Sequence, residues 1–190
     1  MNKEIERKYA IKYLPEDITI EQVIEMEQAF LYKDANTHIR IRKMQTKEGI
    51  NYIYTVKTKG DISYSKNQVS SKYEIESNIT KEYYETLLSR KISNKIIKTR
   101  IVVPIQNNLK VEIDIYYDYL QGFLTAEVEF PNEEEAKQFE KPDWLGEEIG
   151  YKELSNRKLA EMTEEQFKSK VSEEFMKNNK IIIEELNKLI

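Results

Sequence analysis

The sequence predicts an α+β protein in which eight mostly antiparallel strands close into a barrel, with helices packed outside it. Strand-like segments fill the first two thirds of the chain; we place them at 3–13, 24–33, 37–45, 50–59, 70–77, 96–105, 109–118 and 122–130. Segments such as NYIYTVKTKG are rich in the aromatic and β-branched residues typical of strands. Eight strands are enough to close a sheet, and closure leaves no exposed edge.

Helices are predicted at three places between and after the strands. Thr80 is a capping residue before KEYYETLLSR, and Asn132 caps EEEAKQFE, whose glutamates suit the N-terminus of a helix. From Ser155 to Ile190 the apolar residues recur at helical spacing, with a break near Met162–Thr163. The sequence therefore predicts an amphipathic C-terminal segment that packs on the sheet or on another subunit.

Length and composition fit a single domain, on which we expect the helical segment at 162–190 to pack as an extension. The chain carries 30 Lys and Arg against 34 Asp and Glu, a balance that argues against general nucleic-acid binding. No cysteine is present, which excludes disulfides and thiolate sites. The aliphatic runs are too short to cross a bilayer and the N-terminus has no apolar leader, so we expect a cytoplasmic protein without membrane partners.

Like charges recur two residues apart along the predicted strands. The pairs are Arg40/Arg42, Lys57/Lys59, Lys98/Arg100, Glu4/Glu6, Glu74/Glu76, Glu112/Asp114 and Glu127/Glu129. Because alternate strand residues share a face, each pair places its charges on one face about 7 Å apart. For a single pair, the wet face of an antiparallel sheet explains the pattern well. Pairs of one sign on so many strands instead favour a charged barrel interior, because adjacent like charges repel.

A charged interior needs counter-ions, and the two kinds of pair suit different ones. Arg and Lys bind phosphate oxygens, Arg as a bidentate fork and Lys as a point charge. Carboxylate pairs suit Mg²⁺ or Mn²⁺, which take oxygen ligands and commonly bridge to phosphates. The single histidine, His38, gives no sign of a zinc cluster. The sequence therefore predicts a cavity for a polyphosphate complexed with a divalent metal.

The order of these motifs resembles the CYTH superfamily, the triphosphate tunnel metalloenzymes, over about residues 1–161. EIERKY is similar to the family's N-terminal ExExK signature, MEQAFL to its EQGYL strand, HIRIRK to its RIR strand and YTVKTKG to its lysine strand. KTRIVVP, VEIDIY and AEVEFP resemble the next three strands, and PDWLGEEIGYKELSNRKLA resembles the block that closes the domain. Among the family, short chains that open with EIERK most resemble the inorganic tripolyphosphatases.

The resemblance implies an eight-stranded antiparallel tunnel that holds a linear triphosphate. The phosphate contacts that it implies are Lys8, Arg40, Arg42, Lys57, Lys98, Arg100 and Lys152. The implied ligands for Mg²⁺ or Mn²⁺ are Glu4, Glu6, Glu74, Asp114, Glu127 and Glu129. The implied catalytic residues are Glu6, Glu129 and Lys8, with either a carboxylate or a second metal preparing the attacking water.

The predicted activity is metal-dependent hydrolysis of a triphosphate, with inorganic tripolyphosphate ranked first as substrate and pyrophosphate and phosphate as products. Two other activities of the family stay open: a class IV adenylate cyclase, which makes cyclic AMP and pyrophosphate from ATP, and a thiamine triphosphatase. A non-catalytic module that binds polyphosphate is less favoured, because an anion sensor has little need for so many metal ligands. The long C-terminal helix makes a homodimer plausible.

Overall fold

The protein is described here from a computed structural model that covers residues 2–59, 70–150 and 154–190, with side chains from residue 5 and, after the first gap, from residue 73. The strands are β1 Asn2–Ile11, β2 Gln22–Lys33, β3 Thr37–Thr46, β4 Gly49–Lys59, β5 Ser70–Asn78, β6 Ile96–Pro104, β7 Lys110–Tyr116, β8 Leu124–Glu129 and β9 Leu145–Glu148. The helices are α1 Lys81–Leu88, α2 Glu133–Gln138, α3 Asn156–Leu159, α4 Glu164–Lys168 and α5 Glu173–Leu186.

The strands form one antiparallel sheet in the order β5-β4-β3-β2-β6-β7-β8-β1-β9. Neighbours in the chain are mostly neighbours in the sheet, so hairpins account for most of the topology. One departure is the pairing of β2 with β6, and another is strand β1, which has three partners. It pairs with β5 over Asn2–Glu6, with β8 over Glu6–Tyr9 and with β9 at Tyr9 and Ile11.

The predicted eight-stranded closed barrel is wrong, whereas the antiparallel sheet and the surrounding helices are confirmed. The sheet has nine strands, and β9 was not predicted as a strand. Strand β1 pairs with β5 only through its first five residues, and β9 follows the rest of its edge. The strands therefore form an irregular sheet instead of a barrel closed along its length.

The two faces of the sheet differ in character because side chains alternate along each strand. One face is apolar and lies beneath α1, α2 and α5. Its buried residues include Ile5, Ile101, Val111, Ile113, Ile115, Leu124, Ala126 and Val128, together with Ile182 and Leu186 of α5. Each fully buried aliphatic side chain contributes about 1.5–3 kcal/mol. The residues between these positions are thereby directed to the opposite face.

Helix α1 covers a separate part of the same apolar face, and its beginning follows the sequence. Thr80 caps the helix by accepting from the backbone N–H of Tyr83. Tyr84 then packs on Ala29 and Ile41 of β2 and β3. The predicted caps of α1 and α2 are both confirmed, since Asn132 accepts from the N–H of Glu135 in the same way.

The C-terminal segment contains three helices. The predicted break near Met162–Thr163 is confirmed, because Thr163 caps the N-terminus of α4 with a capping box. A second break, which was not predicted, comes where Ser172 caps α5. Phe167 of α4 packs on Phe123 with ring centroids 5.3 Å apart. The helices of the described ranges all lack the length and apolar character of a membrane span.

Candidate functional site

The face opposite the apolar core carries many ionisable residues, and we define the charged face by thirteen of them: Glu6, Lys8, Arg40, Arg42, Lys57, Glu74, Glu76, Lys98, Arg100, Glu112, Asp114, Glu127 and Glu129. Directly paired residues of antiparallel strands point to the same side. Lys8 is paired with Glu127, and Glu127 is paired in turn with Glu112 on its other side. The like-charge pairs read from the sequence therefore come together across neighbouring strands.

Arg100 on β6 is the centre of the first ion cluster. Its Nε and Nη2 donate to the two oxygens of Asp114 at 2.7 and 2.8 Å. Nη2 also donates to Glu127 at 3.0 Å, and Nη1 donates to Glu112. Lys98 donates to Asp114, whose side chain is completely buried. Charges held so far from water are tolerated only when each one has a partner.

Protonation in this cluster is set by burial and by neighbouring charge. Burial and repulsion from Arg100 lower the pKa of Lys98 to about 8. Burial acts to raise the pKa of Asp114 and of Glu127, but nearby cations, Arg100 among them, outweigh it, so both pKa values fall below the ordinary range. For Glu112, burial together with Asp114 and Glu127 outweighs Arg100, and the pKa is raised. Glu112 is therefore the carboxyl group of the cluster whose charge is least favoured.

We expect Glu112→Gln to raise the free energy of unfolding at pH 7, because the neutral amide resembles the protonated acid that the fold favours. The pKa of Glu112 is higher in the folded protein than its ordinary value of 4.5. Glu112 therefore lowers the free energy of unfolding as the pH rises from the unfolded-state pKa through the folded-state pKa. Urea denaturation should show a higher free energy of unfolding for Glu112→Gln than for the unmodified protein at pH 7, and no difference at pH 4. Glu25→Gln, at an exposed site on the other face of β2, is the control. A loss of stability at pH 7 would contradict the prediction.

The second ion cluster joins β3, β4 and β5. Arg40 Nη2 lies 3.2 Å from Glu74 and 3.8 Å from Glu76. Lys57 Nζ lies 3.3 Å from Glu74, so this carboxylate is shared between two cations. Arg42 donates to Glu76. Burial and repulsion from Arg40 lower the pKa of Arg42 to about 10. The charged form of Arg42 is therefore less favoured in this cluster than it would be in water.

Strand β1 brings its own charges to the same face. Lys8 Nζ lies 2.9 Å from Glu127, and it donates to the carbonyl of Leu154 at 3.5 Å. Glu6 is directly paired with Glu129 of β8, so two predicted metal ligands are neighbours across the strands. The side chain of Glu4 and the whole of Lys152 lie outside the described part of the chain, and their predicted roles stay predictions.

Three buried N–H donors on the charged face have no hydrogen-bond partner among the described residues. They are Nε of Arg40, Nε of Arg42 and the amide Nε2 of Gln28. Gln28 is directly paired with Arg42 and is only 1% exposed. A buried donor without an acceptor costs about 1–3 kcal/mol, and native proteins keep few of them. An oxygen acceptor beside these groups would remove that cost.

The carboxylates of the face are suited to a divalent metal by chemistry. Within the described residues, no three Asp, Glu, His or Cys side chains converge on one point that would hold an ion. The ion pairs give the reason, because Asp114 faces Arg100 and Glu127 faces Lys8. Carboxylate oxygens are nevertheless the ligands that Mg²⁺ and Mn²⁺ prefer, so the donor set fits either metal.

Two residues of the charged face, and the neutral Gln28 beside it, were not among the predicted site residues. Glu76 and Glu112 each belong to a like-charge pair, and the shared face of such pairs was the signal that could have included them. Gln28 lies in MEQAFL, and a neutral residue in that motif carried no charge pattern to identify it. All the predicted site residues with described side chains do lie on the charged face.

Buried, paired charges on one face of the sheet, with α1, α2 and α5 packed on the other, agree with what the CYTH-type motifs led us to expect, although the predicted closed barrel does not. No family model matches the chain. The chain is 28% identical over 158 residues to the inorganic triphosphatase of Nitrosomonas europaea. The matched region covers 83% of this chain and 96% of that protein. The resemblance predicted from the motifs is thereby confirmed.

Solved structures agree with this similarity. A crystal structure of an inorganic triphosphatase has a TM-score of 0.56 at 27% identity, over 84% of this chain and 95% of its own. A conserved hypothetical protein from Pyrococcus furiosus has a TM-score of 0.54 at 23% identity, over 71% of this chain and 84% of its own, and bears on the fold alone.

Proposed function

We propose that this protein hydrolyses a triphosphate in a reaction that depends on a divalent metal, with inorganic tripolyphosphate as the first-ranked substrate. The observation that carries the proposal is the burial of the basic pairs Arg40/Arg42 and Lys98/Arg100 on one sheet face, beside N–H donors without acceptors. Such groups suit phosphate oxygens. The similarity to the inorganic triphosphatase of Nitrosomonas europaea supports the same reaction.

The basic residues are proposed to bind the phosphates along several strands. The assigned contacts are Lys8, Arg40, Arg42, Lys57, Lys98 and Arg100, with Lys152 assigned from the family resemblance alone. A linear triphosphate spreads its charge over three groups, which suits cations spread over β1, β3, β4 and β6. Binding would replace carboxylates as the partners of these cations. The released carboxylates then need positive charge of their own, which is the reason to expect metal and triphosphate to bind together.

The proposed metal ligands are Glu4, Glu6, Glu74, Asp114, Glu127 and Glu129, and the metal is Mg²⁺ or Mn²⁺. When bound, such an ion supplies charge neutralisation at the phosphate oxygens.

In the proposed reaction, water attacks a terminal phosphorus, and the bond from that phosphorus to the bridging oxygen of pyrophosphate breaks. Glu6 or Glu129 accepts the proton of the water, while Lys8 and the arginines stabilise the charge that develops on the phosphate oxygens. Positioning and electrostatic stabilisation carry most of the catalysis in such transfers.

Replacing both Glu6 and Glu129 by glutamine is expected to raise, by roughly tenfold or more, the Mg²⁺ concentration for half-maximal thermal stabilisation in the presence of tripolyphosphate, because two charged oxygen ligands are lost. The measurement is a Mg²⁺ titration of the melting temperature at fixed tripolyphosphate, repeated with Mn²⁺, because this readout does not depend on turnover. Glu25→Gln, on the other face of the sheet, should titrate like the unmodified protein. An unchanged titration in the double variant would remove both residues from the metal site.

The test of the proposed function is product analysis with purified protein, Mg²⁺ or Mn²⁺, and one substrate in each reaction. Fast phosphate release from tripolyphosphate, with ATP nearly intact, is the expected result. Cyclic AMP and pyrophosphate from ATP would establish the class IV cyclase instead, and preferential hydrolysis of thiamine triphosphate would establish the third activity. Tight binding of tripolyphosphate without turnover of any of these would leave the binding module.

The cytoplasmic location, the homodimer and the domain boundary at residue 161 are kept as proposals. Ile181 and Leu189, near the C-terminus, are 52% and 54% exposed. Exposed aliphatic side chains of this kind are the support for proposing a subunit contact there.

A further inference from the structure

We propose that Gln28 is a substrate-binding residue, whose side-chain amide donates a hydrogen bond to a phosphate oxygen held between the basic pairs of β3 and β6. The inference rests on the proposed function and adds an uncharged donor to the set of phosphate contacts. It comes from the place of Gln28 in the sheet, from its burial and from its unpartnered amide.

Strand β2 lies between the two strands that carry basic pairs, Arg40/Arg42 on β3 and Lys98/Arg100 on β6, since the sheet order runs β3-β2-β6. Gln28 is directly paired with Arg42 on β3 and with Ile96 on β6. Two residues earlier, Met26 is directly paired with Lys98. Side chains paired in this way have Cβ atoms about 4.5–5.5 Å apart. An anion that reaches both basic pairs must therefore pass over β2, and Gln28 is the buried polar residue that β2 presents there.

Packing alone gives no reason for glutamine at this position. Gln28 is 1% exposed and its Nε2 has no partner among the described residues. Its neighbours along and across the strand include the apolar Met26 and Ile96, so methionine would fill the same space without burying an unpaired amide. A ligand oxygen removes this cost, because it accepts the hydrogen bond that the fold leaves unmade.

An uncharged donor also suits the electrostatics of this position better than a third base. Arg42 beside it is already repelled by Arg40, and the pKa of Arg42 is lowered to about 10 by burial and by that repulsion. A lysine or arginine on β2 would add to the repulsion when no anion is bound. Glutamine contributes a donor to the phosphate without this penalty.

The test compares Gln28→Met with Gln45→Met, a matched control on β3 whose side chain lies on the opposite face and is partly exposed. We expect Gln28→Met to lower kcat/KM for tripolyphosphate by about 10- to 100-fold, because a buried hydrogen bond to a charged oxygen is lost. The rise in melting temperature caused by tripolyphosphate should shrink as well. Without tripolyphosphate the variant should melt at the same temperature as the unmodified protein or higher, which a purely structural role does not predict.

The outcomes separate this inference from the proposed function. If the unmodified protein hydrolyses tripolyphosphate and Gln28→Met keeps full kcat/KM and the full melting shift, Gln28 is a packing residue and the inference is overturned alone. If the unmodified protein neither binds nor hydrolyses tripolyphosphate, the proposed function fails and the assignment of Gln28 fails with it. Should Gln28→Met not fold, Gln28→Glu, of nearly the same shape, is measured in the same way, and unchanged tripolyphosphate binding there overturns the inference.

Discussion

Replacing Arg40 with alanine should lower kcat/KM for tripolyphosphate by about 100-fold or more and leave a folded protein. Removing one preorganised donor from a charge-stabilising site costs about 10²–10³ in rate. Folding should survive because the partners of Arg40 keep other cations: Glu74 has Lys57 at 3.3 Å, and Glu76 has Arg42. The measurement is steady-state phosphate release, with circular dichroism to verify the fold.

Lys43→Ala is the matched control for Arg40→Ala. Lys43 lies on the same strand but on the opposite face, where it pairs with Glu27 at 3.4 Å. Its loss should leave kcat/KM unchanged. Equal activity in the two variants would contradict the assignment of the charged face as the site.

Replacing Arg100 with alanine should abolish turnover and, unlike the change at Arg40, should destabilise the fold by about 3–5 kcal/mol at pH 7. Arg100 contacts Glu112, Asp114 and Glu127, and its loss leaves buried carboxylates with too little positive charge. The difference in the free energy of unfolding between Arg100→Ala and the unmodified protein should shrink as the pH falls. Asp114 and Glu127 have depressed pKa values, so the stability they contribute is present above their unfolded pKa and is lost as the pH falls through the folded values.

Urea denaturation of Arg100→Ala and of the unmodified protein, at pH 7 and at lower pH, measures the loss of stability and its dependence on pH. The control is Lys110→Ala, because Lys110 pairs with Glu21 at the surface, where the side chains are 51% and 45% exposed. Such a pair is worth about 0–1 kcal/mol. A similarly small change for Arg100→Ala would mean that the buried cluster is not held together by this guanidinium.

Strands β1 to β8 and the caps of α1 and α2 could be predicted from the sequence, because the patterns that indicate them are local. Period-two alternation follows from one apolar face under helices, and capping involves residues three apart. Strand β9 has four residues, too few for alternation to be recognised. The extent of closure depends on how β1 divides its edge between β5 and β9, strands far from it along the chain, and no local pattern records that division.

The charged face was predictable for a related reason, whereas its internal pairing was not. Two like charges separated by one residue on a strand share a face wherever the strand lies. Which carboxylate meets which cation depends on register between strands, as with Lys8 and Glu127. Gln28 could not be found by charge, and its place between two basic strands became visible only in the sheet order.

The mutual pairing on the charged face also affects how a polyanion would approach the protein. Its cations are already neutralised by its own carboxylates, and the whole chain is slightly acidic, with a net charge of −4. Attraction over long distances should therefore be weak, since steering depends on a field that extends into solvent. Selection would instead take place at contact, by an exchange of partners inside the protein. The carboxylates of the charged face act as counter-ions that the substrate must displace. High salt should therefore weaken binding less than it does at an open basic patch.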